Sequence, residues 1–165
     1  MTKDQVITLF GYNDWANRRI LECAARLADE QYFAEVGLAQ GFGHASLHAT
    51  LFHILRAAHG WRQGLQEGRQ GEGLQPEQYP DLAAIRAGME AESAAMQVYL
   101  GGLSDDQLAA PLQLIDRRGR VRDLLLWRVL VHLLYHGMQH RSEAAAMLTS
   151  FSQSPGDLDF IFYRG

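Results

Sequence analysis

Cysteine is almost absent: Cys23 stands alone among 165 residues, which excludes a disulfide framework and any zinc site built from cysteines. A basic excess is missing too. Fifteen lysines and arginines face nineteen acids, for a formal net charge of −4, so the chain lacks the positive footprint that nucleic acid or anionic membrane requires. No apolar run approaches the roughly 18 residues of a spanning helix. Lys3, Asp4, Asn13, Asp14, Arg18 and Arg19 break up the first twenty residues, leaving no signal-peptide core. A cytoplasmic protein with neither nucleic-acid nor membrane partners is expected. With 47% hydrophobic residues, residues 1–165 are long and apolar enough for one domain that buries its own core.

What is present is helical periodicity. Thr2 and Gln5 match a capping box, and Val6, Phe10, Ile20, Leu21 and Leu27 recur at helical spacing, predicting a first helix over about 3–28. Trp15 and Cys23 are expected in its packed side. Residues 29–45, with Gly37, Gly41 and Gly43, read as a connection. Ser46 is an N-cap for a second helix running to about Glu67. Its leucine-rich stripe is opposed by Ala49, His53, Ala57, Gly60 and Gly64, a small-residue side that a neighbouring element can approach closely.

Gly68 to Pro80 reads as a loop. Asp81 caps a third helix over Leu82 to Leu100, and Ser104 with Gln107 marks a further single turn. Pro111 to Arg122 suggests a short extended or hairpin excursion. Asp123 is expected to cap the last helix, which Ser154-Pro155-Gly156 closes, and an apolar tail follows. The fold class is therefore all-α: a four-helix bundle with long unequal connections and a short extended excursion before the last helix.

The last helix carries His132, His136 and His140 at intervals of four, with Glu143 beyond. A step of four residues climbs about 6 Å and turns about 40° past a full turn, so two successive members can share one cation; the outer pair, about 12 Å apart along the axis, cannot. Two histidines at this spacing also share zinc in H-E-x-x-H helices. The row is expected to be buried, because Leu125, Val129, Leu133 and Met147 fall on the same side. A third ligand must come from another segment. His44, His48, His53 and His59 are the histidines on offer, and periodicity leans only slightly to His53 over His48.

Three stretches together resemble the DinB/YfiT-like family of metal-dependent helical bundles: Tyr12 to Arg19, Leu47 to Leu55, and Val131 to Glu143. Ser154 to Asp159 is similar to the family ending, and Arg118-Gly119 to a family turn. The resemblance implies a metal triad of His53, His136 and His140, with His132 outside it and His44 and His48 not ligands. It departs from the family at Ser142-Glu143, where many members have Gly-Gln. A carboxylate there is expected to orient His140, receive a proton, or cap a buried network, making Glu143 the candidate catalytic residue.

Three neutral histidines leave a coordination position open and suit zinc or nickel, with iron or manganese as alternatives. Characterised relatives in the wider superfamily use low-molecular-weight thiols. The resemblance thus implies a divalent-metal enzyme, thiol-S-transferase-like, that activates a small thiol or water for transfer to a small-molecule substrate. The alternatives are a metal-dependent hydrolase and a non-enzymatic, stress-linked binding module closed by a structural ion. A homodimer is implied as well, with the small-residue side of the second helix and the apolar tail suited to form it.

Overall fold

The computed structural model describes residues 1–36 and 44–165, so Gly37, Gly41 and Gly43 lie outside the described residues. Four long helices carry the architecture: α1 (Lys3–Ala24), α3 (Leu47–Glu67), α4 (Leu82–Gly101) and α6 (Leu126–Ser150). Their starts follow from side-chain caps. Thr2 and Gln5 form a reciprocal capping box on α1, Ser46 Oγ accepts the Ala49 N–H on α3, and Asp81 accepts the Ala84 N–H at 2.8 Å on α4. Each satisfies a backbone donor that the helix itself leaves free. The left-handed Gly68 (φ 71°) ends α3, at little cost because glycine has no Cβ.

Two expected boundaries move. The first helix stops at Ala24 rather than about residue 28, because Ala28 is extended and Asp29 to Phe33 form a separate short helix, α2. The last helix is not capped by Asp123. That residue lies in β2 (Val121–Leu125), opposite Gln113 of β1 (Pro111–Ile115), and accepts its side-chain amide at 3.0 Å. Leu125 occupies the cap position without a side-chain bond. Between α4 and β1 lies the single turn α5 (Asp105–Ala109), with the Ser104–Gln107 capping box.

The bundle closes as a ring in which α1 meets α6 and α4, and α3 meets the same two. Two apolar clusters fix the helix directions. At one end, Val6 and Phe10 of early α1 pack with Met96 and Leu100 of late α4 and Leu126 and Leu130 of early α6. At the other, Ile20 and Leu21 pack with Leu47 and Leu51 of early α3, Ile85 of early α4 and Met147 and Leu148 of late α6. Thus α1 and α6 run one way, α3 and α4 the other. The loop from α3 to α4 must travel back along the whole bundle, about 30 Å for a 20-residue helix. Residues 68–81 are long enough to cover it.

Between the two clusters the interior is polar. Arg141 of α6 donates to the side-chain oxygens of Asn13 and Asn17 of α1. Ser93 of α4 donates to Asp14, whose carboxyl burial pushes above its ordinary value. Arg62 of α3 clasps Glu92 of α4 through two nitrogens, and the Glu92 carboxylate also meets His59. These pairings keep charges tolerable at a depth where an unpaired one is costly. The histidines lie at the same level.

The small-residue side of α3 is covered from within the chain. A methyl at Gly64 would stand 2.9 Å from Leu114 of β1, and one at Gly60 2.7 Å from Arg117 in the hairpin turn. The hairpin is fastened there by backbone bonds between Ile115 and both Gly68 and Gln70. The tail folds against α1, where Tyr12 donates to the Leu158 carbonyl at 2.8 Å and meets Phe160 edge-on. Ile161 remains 83% exposed. Among the described residues no helix is long and apolar enough to cross a membrane.

Candidate metal centre

At the polar waist, α6 and α3 face each other through imidazoles. The i, i+4 step places His136 and His140 with ring centroids 4.5 Å apart. His53 stands across from them on α3, its centroid 4.9 Å from His136 and 4.4 Å from His140. Its Nε2 lies 3.1 Å from His136 Nε2. His44, ahead of α3, stacks 4.2 Å from His53 and 5.5 Å from His140. The ligand atoms of His44, His53 and His140 all fall within 4.8 Å of one another. His136, a member of the triad expected from the sequence, is not in that set; it adjoins the set through His53.

His132 does not join them. It stands 5.7 Å from His136, edge-on to Trp61 at 5.4 Å, and its side chain is exposed. The expected burial of the whole row holds for His140 and fades along the helix to His132. The physical reason is that a four-residue step keeps rotating past the full turn, carrying the row away from the bundle axis. His48 is elsewhere, its Nε2 2.8 Å from the Tyr79 carbonyl, and His59 is taken by Glu92.

Glu143 is buried, and its carboxylate lies 2.6 Å from His140 Nδ1. A carboxylate there accepts an Nδ1–H and fixes the ring, so Nε2 is the His140 nitrogen that an ion would use. His53 shows the opposite condition. Its Nδ1 is buried with no hydrogen-bond partner, and its Nε2 faces another imidazole nitrogen. An unsatisfied buried polar atom costs about 1–3 kcal/mol.

These donors fit a cation. Nitrogens each about 2.0–2.1 Å from one tetrahedral ion sit about 3.3 Å apart, close to the spacing of His53 and His136. The rings also have their lone pairs free. Burial, then the neighbouring imidazoles, hold His53 down to about 3 and His136 to about 4, and burial lowers His44 as well. Near neutrality these three are uncharged bases packed together, a costly arrangement that a shared cation relieves.

The cluster is not sealed. A cavity of about 290 Å³ opens beside His53 and His136, with Arg56, Trp61 and Arg117 in its wall. Trp61 also borders a second cavity of about 540 Å³, which contains His132, Arg122 and Arg128. His44, Arg56 and Arg117 were not reachable by periodicity. His44 belongs to no helical repeat, and Arg117 arrives on the tip of the hairpin. The Asp116 to Gly119 stretch signalled a hairpin excursion in the sequence, but not where it would pack.

Comparison with known proteins gives a consistent picture. The DinB family profile matches residues 1–164. Protein DinB of Bacillus subtilis (strain 168) is 24% identical over 165 residues, covering 97% of this chain and 94% of that one. Crystal structures of two DinB-like proteins share the fold. One, from Bacillus cereus ATCC 10987, superposes with a TM-score of 0.72 at 19% identity, covering 94% of this chain and 97% of that one. The other, from Bacillus subtilis, gives 0.63 at 15%, covering 91% and 94%. With a profile match along virtually its whole length, a superposable bundle and histidines gathered at its waist, the chain belongs to the DinB family.

Proposed function

We propose that this chain is a divalent-metal enzyme whose ion is held by His53, His136 and His140 and which activates a small thiol, or water, for transfer to a small-molecule substrate. One observation carries the reading: neutral imidazoles from α3 and α6 converge beside an open cavity. A purely structural ion has no need of such an opening, since structural sites are closed by protein ligands. A bound zinc or nickel ion would lower the pKa of a thiol or water and make it a nucleophile at neutral pH.

The chain's own contribution is positional. The α6 backbone fixes His136 and His140 one turn apart, and α3 presents His53 opposite. Glu143 acts through His140 by holding its Nδ1–H, so it is a positioning residue for the centre. Trp61 lines the cavity.

Elemental analysis of the purified protein beside His53→Ala, His136→Ala and His140→Ala tests this. Each variant is expected to lose the ion, and His132→Ala to retain about one per chain. Metal retained in any two of the three variants sinks the assignment. His44→Ala belongs in the series, because loss there together with retention in His136→Ala moves the centre to His44, His53 and His140. Turnover is then sought with a thiol and a panel of electrophiles, and a metal-loaded chain inactive toward all of them counts against the thiol chemistry.

A further inference from the structure

The charge around the cavity beside the histidines has a sign that the chain as a whole does not. Arg56 of α3 and Arg117 of the hairpin tip both line it. Among the described residues neither has a carboxylate partner, although Arg62, Arg120 and Arg122 all do. Residues 37–43, Gly-Leu-Ala-Gln-Gly-Phe-Gly, contain no acid that could supply one. Asp116, beside Arg117 in sequence, is already engaged by Arg120 and Arg122.

Arg117 is also seated. A methyl at Gly60 would lie 2.7 Å from its Nη2, and one at Gly73 2.6 Å from the same atom. The guanidinium therefore rests against two glycines, one on α3 and one on the crossover loop, in space that any side chain would fill. Gly73 has φ 81°, a conformation that glycine adopts without strain. Arg56 follows His53 by three residues on α3, so the two share one side of the helix. Glu143, the buried carboxylate of this region, is engaged by His140. The cavity wall thus carries two arginines without carboxylate partners among the described residues, in a chain of net charge −4.

We propose that this cavity is an anion-recognition pocket, in which Arg56 and Arg117 hold the carboxylate or phosphate of a small substrate whose reacting atom lies at His53 and His136. The proposal rests on the metal-centre reading for the reacting end and on the two arginines for the other. Guanidinium groups match planar carboxylates and phosphates through paired N–H donors. A cavity of about 290 Å³ stands at the lower edge of small-molecule pockets, which run from about 300 Å³. Nucleic acid is poorly suited, because the remaining surface carries an acidic excess.

Calorimetric titration of the full-length, zinc-loaded protein tests this with four probes: mercaptosuccinate, 2-mercaptoethanol, malonate and inorganic phosphate. Mercaptosuccinate is expected to bind at least about tenfold more tightly than 2-mercaptoethanol, the scale of one charge-assisted hydrogen bond. Arg56→Gln and Arg117→Gln should each remove most of that preference and leave 2-mercaptoethanol unchanged. Arg117→Lys should restore part of it, and Arg26→Gln, an exposed arginine far from the cavity by sequence and element, should change nothing. Malonate and phosphate separate the two sources of anion, and whichever binds should show the same arginine dependence with the metal removed.

Arginine-dependent malonate or phosphate binding, with mercaptosuccinate no tighter than malonate and 2-mercaptoethanol unbound, keeps the pocket and defeats the thiol chemistry. Equal binding of the anionic and neutral thiols, or anion binding indifferent to both arginines, overturns the pocket even if the chain proves to be a thiol enzyme. Circular dichroism of each variant confirms that a lost preference is not a lost fold.

Discussion

Glu143 and His140 are three residues apart on α6 and meet at 2.6 Å in a buried setting. That contact makes a residue-scale prediction available. Partners behind a metal-binding histidine raise its basicity and fix its ring, and removing one costs on the order of 10–100-fold in metal affinity. Glu143→Gln keeps the shape and an acceptor oxygen but not the charge. It is expected to weaken zinc binding by roughly that factor in competition with a chromophoric chelator, with the helix content retained. Unaltered affinity would mean that the carboxylate only satisfies a buried nitrogen. At this scale the sequence disclosed what a single helix determines: the four-residue spacing of the histidines, the inability of the outer pair to share one ion, and Glu143 on the same side, while the choice of His136 with His140 was what the family resemblance implied. His53 came through family resemblance, because periodicity did not separate it from His48. His44, Arg56 and Arg117 were hidden for a different reason. Their proximity to the centre is created by packing of separate segments, and no spacing within one element encodes it.

At the scale of elements, the helix starts were legible because capping is local chemistry: Thr2, Ser46, Asp81 and Ser104 all cap as their side chains suggest. Asp123 was misread because it has a competing partner, Gln113 across the hairpin, which only the strand register reveals. The hairpin itself turns on Asp116. Its carboxylate accepts the N–H groups of Arg118 and Arg120 and the Arg120 guanidinium, and these hold its pKa down to about 2 against an ordinary 3.8. A carboxylate depressed in the folded state binds protons more readily when unfolded, so its stabilisation is present above the unfolded pKa and fades as pH falls from about 4 through about 2. Wild type should therefore melt above Asp116→Asn at pH 6, with the gap closing over that acid window. A gap of constant size would show that the charge is irrelevant to the turn. Since the same turn carries Arg117, loosening it should also weaken anion binding at the cavity.

For the molecule as a whole, the decisive feature is a bundle whose two apolar clusters are parted by a polar waist. Each cluster draws on α1, α4 and α6, with Leu47 and Leu51 of α3 in one and Trp61 and Leu65 of α3 packed against the other, so the helices that the histidines connect are already tied by apolar burial, and neither cluster depends on an ion. The sequence conveyed the number of long helices and their apolar stripes, though not the short helix α2. It did not convey the waist, because Asn13, Asn17 and Arg141 look like surface residues until α1 and α6 are set side by side. This arrangement distinguishes a functional ion from a structural one. An ion bound only by the folded chain adds RT ln(1 + [L]/Kd), about 4 kcal/mol when free metal is near a thousandfold above Kd. At roughly 2–4 °C per kcal/mol for a chain of this size, chelation is expected to lower Tm by about 8–16 °C. The far-ultraviolet circular dichroism at 25 °C should be preserved, since both clusters remain. Loss of helix on chelation would favour the binding module with a structural ion over the enzyme. An unchanged Tm would mean that the folded chain binds no ion at the histidines at all, and the centre, with the chemistry built on it, would have to be given up.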